Sequence, residues 1–274
     1  MTMNAEILAK VQSLIDLKAL FVVNHSGGKD SQAMYLVLRD MVPRDQLVLV
    51  HADLGAVEWA GALAHIKETT AGEPLHVCTS RRGLLQMIEE RGMFPSPANR
   101  SCTSDLKRGP IERTIRGITR ERQAVGIENW GLVVNCMGMR AQESSNRKKL
   151  PVLKFSHRNS KAGREWYDLL PIHDMLEHEV YETIAAAGQR PHPVYALGMK
   201  RFSCVLCIMA SEEDLKTAAR LATEQPELLN DPHLYRKYVG LEKSTGQVMM
   251  MPTKKHGRRT LEEITGVIAD EMAA

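Results

Sequence analysis

Short apolar runs alternate with amphipathic stretches through the first half of this chain. Residues 3–18 recur as Ile7, Val11, Leu14 and Ile15 on one helical face. The run Ala19-Leu20-Phe21-Val22-Val23 then predicts a strand, and residues 31–38 predict a helix. Residues 46–51, Gln-Leu-Val-Leu-Val-His, suit a strand buried on both faces, and Ala52-Asp53-Leu54-Gly55 forms a loop at its carboxyl end. Trp59, Leu63 and Ile66 give a helix closing near Gly72, residues 75–78 a third strand, and Leu84, Leu85 and Ile88 another helix reaching Gly92. Strands alternating with helices specify an α/β fold, a mainly parallel sheet wound with right-handed crossovers. Ligands of such sheets bind outside the carboxyl ends of the strands.

The later chain is less regular. Residues 94–99 and the polar segment around Cys102 read as loops, followed by a basic helix with Arg113, Arg116, Arg120 and Arg122. Residues 132–138 predict a late strand of the sheet, leading into a helix that carries Arg140 and Arg147 two turns apart on one face. Residues 157–164 are an exposed hairpin or flexible loop. Helices follow at Leu176–Ile184, ending at Gly188, and around 215–221 and 234–241. This pattern divides the chain into an α/β domain, residues 1–170, and a smaller, mainly helical C-terminal subdomain, residues 171–274.

The most informative stretch lies between the first strand and the next helix: Ser26-Gly27-Gly28-Lys29-Asp30-Ser31. A strand, a small-residue turn and a helix N-terminus make an anion site, where backbone N–H groups and the helix dipole favour negative charge. The spacing is not that of a Walker A loop. It resembles the PP-loop, Ser-Gly-Gly-x-Asp-Ser, of the ATP pyrophosphatases. Three later segments strengthen the resemblance: Cys102-Thr103 with Leu106-Lys107 and Pro110; Gly138-x-Arg140-x-x-Glu143-Ser144-x-x-Arg147; and Arg201-Phe202-x-Cys204-x-x-Cys207. Together, across roughly residues 19–210, they are similar to the phosphoadenosine-phosphosulfate-reductase-like branch of PP-loop enzymes. Within it they are closest to the ATP-pyrophosphatase component of DNA phosphorothioation systems of the Dnd and Ssp types.

The resemblance implies an adenine nucleotide alpha-hydrolase-like fold and a set of roles. Ser26, Gly27, Gly28 and Ser31 would cradle the β- and γ-phosphates of ATP, and Lys29 would add charge. Asp30 would hold a magnesium ion, and Arg140 and Arg147 would contact phosphates, with Lys29, Asp30 and Arg140 as the catalytic set. A guanidinium suits a phosphate better than an ammonium because it binds in a bidentate fork. Asp53 falls where the family places its adenosine-binding loop, and a plain cap after the strand explains it equally well. Lys107 and Arg108 either close over a ligand or belong to a basic surface. His25, beside the loop, either supports it or is exposed.

Charge and cysteine content refine the picture. The net charge of +3 permits contact with nucleic acid without requiring it, and 5% aromatic residues give little for base stacking. No apolar run approaches the roughly 20 residues of a membrane span, the N-terminus does not read as a signal peptide, and five cysteines suit a reducing, cytoplasmic setting. Cys78 and Cys136 sit inside apolar strands and read as core. Cys102, Cys204 and Cys207 stand in polar segments. The Cys-x-x-Cys spacing alone admits zinc, an iron–sulfur cluster, a redox disulfide or nothing. The resemblance implies an iron–sulfur cluster, with zinc as the alternative.

The function expected from these residues is adenylation of an acceptor by Mg-ATP with release of pyrophosphate. Sulfur insertion follows, with the DNA backbone as acceptor and a cysteine desulfurase as sulfur donor, by resemblance only. A homodimer is admitted by the sequence. One alternative is a sulfonucleotide reductase; against it stand the intact Ser-Gly-Gly-x-Asp-Ser and the absence of any cysteine after Cys207. The other is a non-catalytic ATP-binding subunit of a defence complex.

Overall fold

The computed structural model describes residues 3–272 and contains one six-stranded sheet in the order β3-β2-β1-β4-β6-β5. The strands are β1 (Leu20–Asn24), β2 (Leu47–Asp53), β3 (Leu75–Thr79), β4 (Leu132–Met137), β5 (Leu153–Phe155) and β6 (Glu165–Leu169). β1 runs parallel to β2 and β4, and β4 parallel to β6, while β5 closes the edge as an antiparallel partner of β6. The sequence expected a hairpin or loop at 157–164. It is the turn between β5 and β6, two strands the apolar pattern left unread, because both are short and half polar. Burial explains why β1, β2 and β4 were legible: Phe21, Val22, Val23, Leu49, Val50, Val133 and Val134 are fully buried between layers of helix.

The chain forms two compact units, each assembled from three segments rather than divided at residue 170. The first comprises the chain up to His51, residues 63–78 and residues 111–192. Its core packs α1 (Ala5–Asp16), α2 (Lys29–Arg39) and α8 (Glu177–Ala186) on one sheet face, through Leu14, Met34, Leu38, Val180 and Ile184 against Phe21, Val23 and Val134. Each such side chain contributes about 1.5–3 kcal/mol on burial. Asn4 caps α1 by accepting from Ile7 N at 2.9 Å. On the other face a polar row crosses three strands: Asn24 donates to Asn135 Oδ1 at 2.7 Å, and Asn135 to Asp168 Oδ1 at 2.7 Å.

The second unit is mainly helical and takes residues 52–62, 79–110 and the chain from Pro193 onward. Its core is Trp59, Leu84, Met87, Leu106, Leu215, Tyr235 and Tyr238, drawn from α4 (Leu84–Arg91), α9 (Glu212–Glu224), α10 (Leu234–Thr245) and the loops around them. The segments that follow β2 and β3 belong here because their apolar side chains are buried with the C-terminal helices. The buried Glu242 carboxylate accepts from Met249 N and Leu261 N at 2.7 and 2.8 Å, fixing the chain on both sides of the basic turn at 254–259. No described helix is long and apolar enough to cross a membrane.

Candidate functional site

The Ser-Gly-Gly-Lys-Asp-Ser segment connects β1 to α2 as the sequence predicts. His25 N still bonds Val50 O at 3.0 Å, so strand pairing continues to the last residue before the turn. Gly27 then takes φ +84°, a conformation that favours glycine, and Gly28 is the N-cap of α2 at φ −85°, ψ 159°. Ser31 Oγ donates to Gly28 O at 2.8 Å and accepts from Ser26 N at 3.1 Å. Gly27 N donates to His25 Nδ1 at 3.1 Å. The Ser26 and Gly27 amides are therefore bonded within the turn, which leaves the α2 end to face an anion. The first-turn amides of a helix have no acceptor inside it.

His25 is a buried residue, 2% exposed, and the exposed alternative for it is corrected here. Its Nδ1 accepts from Gly27 N, so the ring is neutral with its proton on Nε2. His51 Nδ1 donates to His25 O at 2.9 Å. Burial above all, with His51 and His65 nearby, lowers the His25 pKa to about 3.

Around the start of α2 the charges close into one network. Lys29, with its side chain 3% exposed, lies 3.2 Å from Glu177 Oε1 and 3.6 Å from Asp30 Oδ2. Arg140 Nε donates to Asp30 Oδ1 at 2.5 Å, and its Nη1 to Gln142 Oε1 at 2.8 Å. The same Gln142 oxygen accepts from Glu177 N at 2.9 Å. Glu143 Oε2 accepts from Arg140 N at 2.9 Å and from Arg147 Nη1. Arg140 and Arg147 are thus brought together, but not by the single helix expected of them. Arg140 is extended at φ −113°, followed by a 3₁₀ turn, Ala141–Glu143, and the one-turn α7, Ser145–Lys148. Glu143, rather than a shared helix face, links them. Gly138 permits the whole assembly, since a Cβ there would lie 3.0 Å from Asp30 C and O.

Glu177, Gln142 and Glu143 are the members of this site to which the sequence assigned no role. Only Glu143 carried a signal, its place in the Gly138–Arg147 pattern. Glu177 reaches Lys29 across 148 residues, from Leu176-Glu177 at the start of α8. Replacing Arg140 by Lys keeps the charge but loses the fork that holds Asp30 and Gln142 together. ATP affinity is expected to fall about 10-fold with melting temperature little changed, measured by calorimetric titration.

In the second unit the sequence-predicted thiols meet. Cys204 is buried, and Cys102 and Cys207 pack partly buried against the same core. Cys102 is not in a loop: Ser101–Thr103 (α5) and a π-helical turn, Ser104–Arg108, lead without a break into α6 (Gly109–Ala124). Burial pushes the Cys204 thiol up to about 12 against the opposing charge of Lys107, and burial together with Cys207 raises Cys102. Lys107 is raised in turn: burial disfavours its charge, but Cys204, Cys207, Glu58 and Cys102 outweigh that. The Tyr238 hydroxyl feels the same thiols and is buried without a hydrogen-bond partner among the described residues. Cys78 and Cys136 are buried strand residues, as expected. Among the described residues no group of three or more His, Cys, Asp or Glu side chains is arranged to hold a metal ion.

Asp53, at the end of β2, accepts from Gly55 N at 2.7 Å and so caps its own turn. With Leu54, Thr79, Ser80 and Arg82 it lines a cavity of about 170 Å³.

An anion-binding turn at the carboxyl end of a parallel strand, furnished with a Lys–Asp–Arg cluster, defines a nucleotide-binding α/β domain. The chain belongs to the phosphoadenosine phosphosulfate reductase domain family, whose model matches residues 21–210. Among curated proteins it is 26% identical, over 187 residues, to a protein of Escherichia phage 186 described as an uncharacterized 37.8 kDa protein in the gpa 5′ region. The match covers 68% of this chain, which spans about half, 52%, of that relative. Among solved structures it is similar to phosphoadenylyl-sulfate reductase from Candida auris in a phosphate complex, at 13% identity and TM-score 0.47 over 74% of this chain and 97% of that one. It is also similar to Candida glabrata FMN adenylyltransferase with FAD and inorganic pyrophosphate, at 12% identity and TM-score 0.39 over 74% and 67%.

Proposed function

We propose that this protein is an ATP pyrophosphatase that adenylates an acceptor and so prepares it for sulfur insertion. The observation that carries the reading is the unaltered Ser-Gly-Gly-Lys-Asp-Ser turn, with Lys29 and Arg140 buried beside Asp30. In this reading an acceptor oxygen attacks the α-phosphorus of ATP, the bond to the β-phosphate breaks, and pyrophosphate leaves. Lys29, Arg140 and the first-turn amides of α2 hold the departing charge, the kind of fixed electrostatic stabilisation that dominates such reactions. Asp30 is balanced by two cations here, so it suits magnesium only when polyphosphate oxygens arrive to occupy Lys29 and Arg140. Bound there, magnesium would neutralise charge on the phosphates.

In this reading Cys102, Cys204 and Cys207 carry the sulfur step. The DNA backbone as acceptor and a cysteine desulfurase as donor are parts of this proposal that rest on the sequence resemblance, and a homodimer is a part that the sequence only admits. Pyrophosphate release from ATP without any sulfonucleotide tests the first half. Sulfite released from phosphoadenosine phosphosulfate would replace it with the reductase reading, and tight ATP binding without turnover, even with DNA and partner proteins, would leave a non-catalytic subunit. For the second half, anaerobically purified protein is expected to carry acid-labile or cyanide-reactive sulfur that a Cys204→Ser variant lacks. Protein free of bound sulfur would refute the thiol role; iron in proportion to sulfide would mean that the thiols rearrange around a cluster.

A further inference from the structure

We infer that His25 is a positioning residue for the phosphate-binding turn, acting as a neutral hydrogen-bond acceptor that holds Gly27 in its left-handed conformation. This deepens the nucleotide reading above and rests on it. The geometry is specific. Gly27 N turns inward to donate to His25 Nδ1 at 3.1 Å, and the His25 backbone is anchored on both sides, its N–H donating to Val50 O at 3.0 Å and its C=O accepting from His51 Nδ1 at 2.9 Å. Ser31 Oγ, 3.4 Å from the same Nδ1, gives its proton to Gly28 O, so Gly27 is the donor that Nδ1 takes. Ser26 and Gly27 are thereby fixed before any ligand arrives, and Gly28 is set as the N-cap of α2. A turn ordered in advance binds an anion without the conformational cost of ordering it on contact. A protonated ring would present an N–H to the Gly27 N–H; the low His25 pKa keeps the acceptor lone pair through the neutral range.

The inference separates two amide isosteres. Asn places its Oδ1 where the ring has Nδ1, whereas the Gln Oε1 reaches the Nε2 position instead, and Leu fills the space with no acceptor. In full-length protein, His25→Asn is expected to bind ATP and inorganic pyrophosphate within about 3-fold of wild type. His25→Gln and His25→Leu are expected to weaken both at least about 10-fold. Thermal melts accompany each titration, because Asn removes the most volume and should be the least stable while binding best, an order that a purely structural role would not produce. Nitrogen-15 spectra of the imidazole give a second readout that needs no variant to fold: Nδ1 unprotonated and Nε2 protonated. Wild-type protein that binds neither ATP nor pyrophosphate would refute the nucleotide reading itself. Wild-type binding with Gln or Leu equal to Asn, or an Nδ1–H tautomer, would overturn the role of His25 alone.

Discussion

Asp30→Ala protein is expected to bind ATP at least as tightly as wild type while releasing pyrophosphate about 10²–10³-fold more slowly, roughly 3–4 kcal/mol in the barrier. The two effects separate because of where Asp30 sits. Its carboxylate is the counter-ion shared by Lys29 and Arg140, both buried. Removing it leaves two cations short of negative charge, which an incoming polyphosphate supplies. Glu177 and Gln142 still hold the two cations, so the loss of stability is expected to stay near the low end of the ~3–5 kcal/mol seen on breaking buried pairs. Melting temperature with and without pyrophosphate, beside a turnover assay, checks both halves: the variant should gain more from pyrophosphate than wild type does. Unchanged turnover would refute the role given to Asp30.

The second large effect is on stability against pH. An unfolded histidine takes up its proton near its ordinary value of 6.5, whereas folded His25 takes it up only near pH 3. Between those values the unfolded chain binds more protons than the native one, so stability rises with pH there and falls as the solution is acidified. The slope from His25 reaches about 1.4 kcal/mol per pH unit and vanishes above pH ~7. His65, lowered by burial, acts in the same direction, while Glu242, raised by burial, acts in the opposite one. Urea unfolding of wild type and His25→Asn between pH 7.5 and 4 isolates the His25 part. The variant should begin less stable and the gap should close on acidification; parallel curves would show that His25 takes up its proton equally in both states.

The two results bear on the same turn from opposite sides. In the proposed reading Asp30 and Arg140 face the ligand, and His25 supports the turn from the interior.

What could be read from the chain alone was whatever depends on local order. The apolar runs 19–23, 46–51 and 132–138 announced parallel strands, because a strand buried on both faces needs no alternation. Ser26–Ser31 announced an anion site, because a strand, two glycines and a helix start create one wherever they occur together. Burial of Cys136 followed from the last of these runs, and that of Cys78 from the short run 75–78. Residues whose roles come from distant partners were not legible. His25 looks like any polar residue after a strand until Val50, His51 and Gly27 close around it. Glu177 becomes part of the site only because α8 packs against α2, and Arg140 and Arg147 meet through Glu143 rather than through helical spacing. The partition into two units was hidden for the same reason: Val57, Trp59 and Leu84 follow sheet strands in order, yet are buried with helices more than 100 residues later. Local backbone preference and hydrophobic period fix the elements and the turn, whereas burial among residues remote in sequence decides which charges and rings those elements bring together.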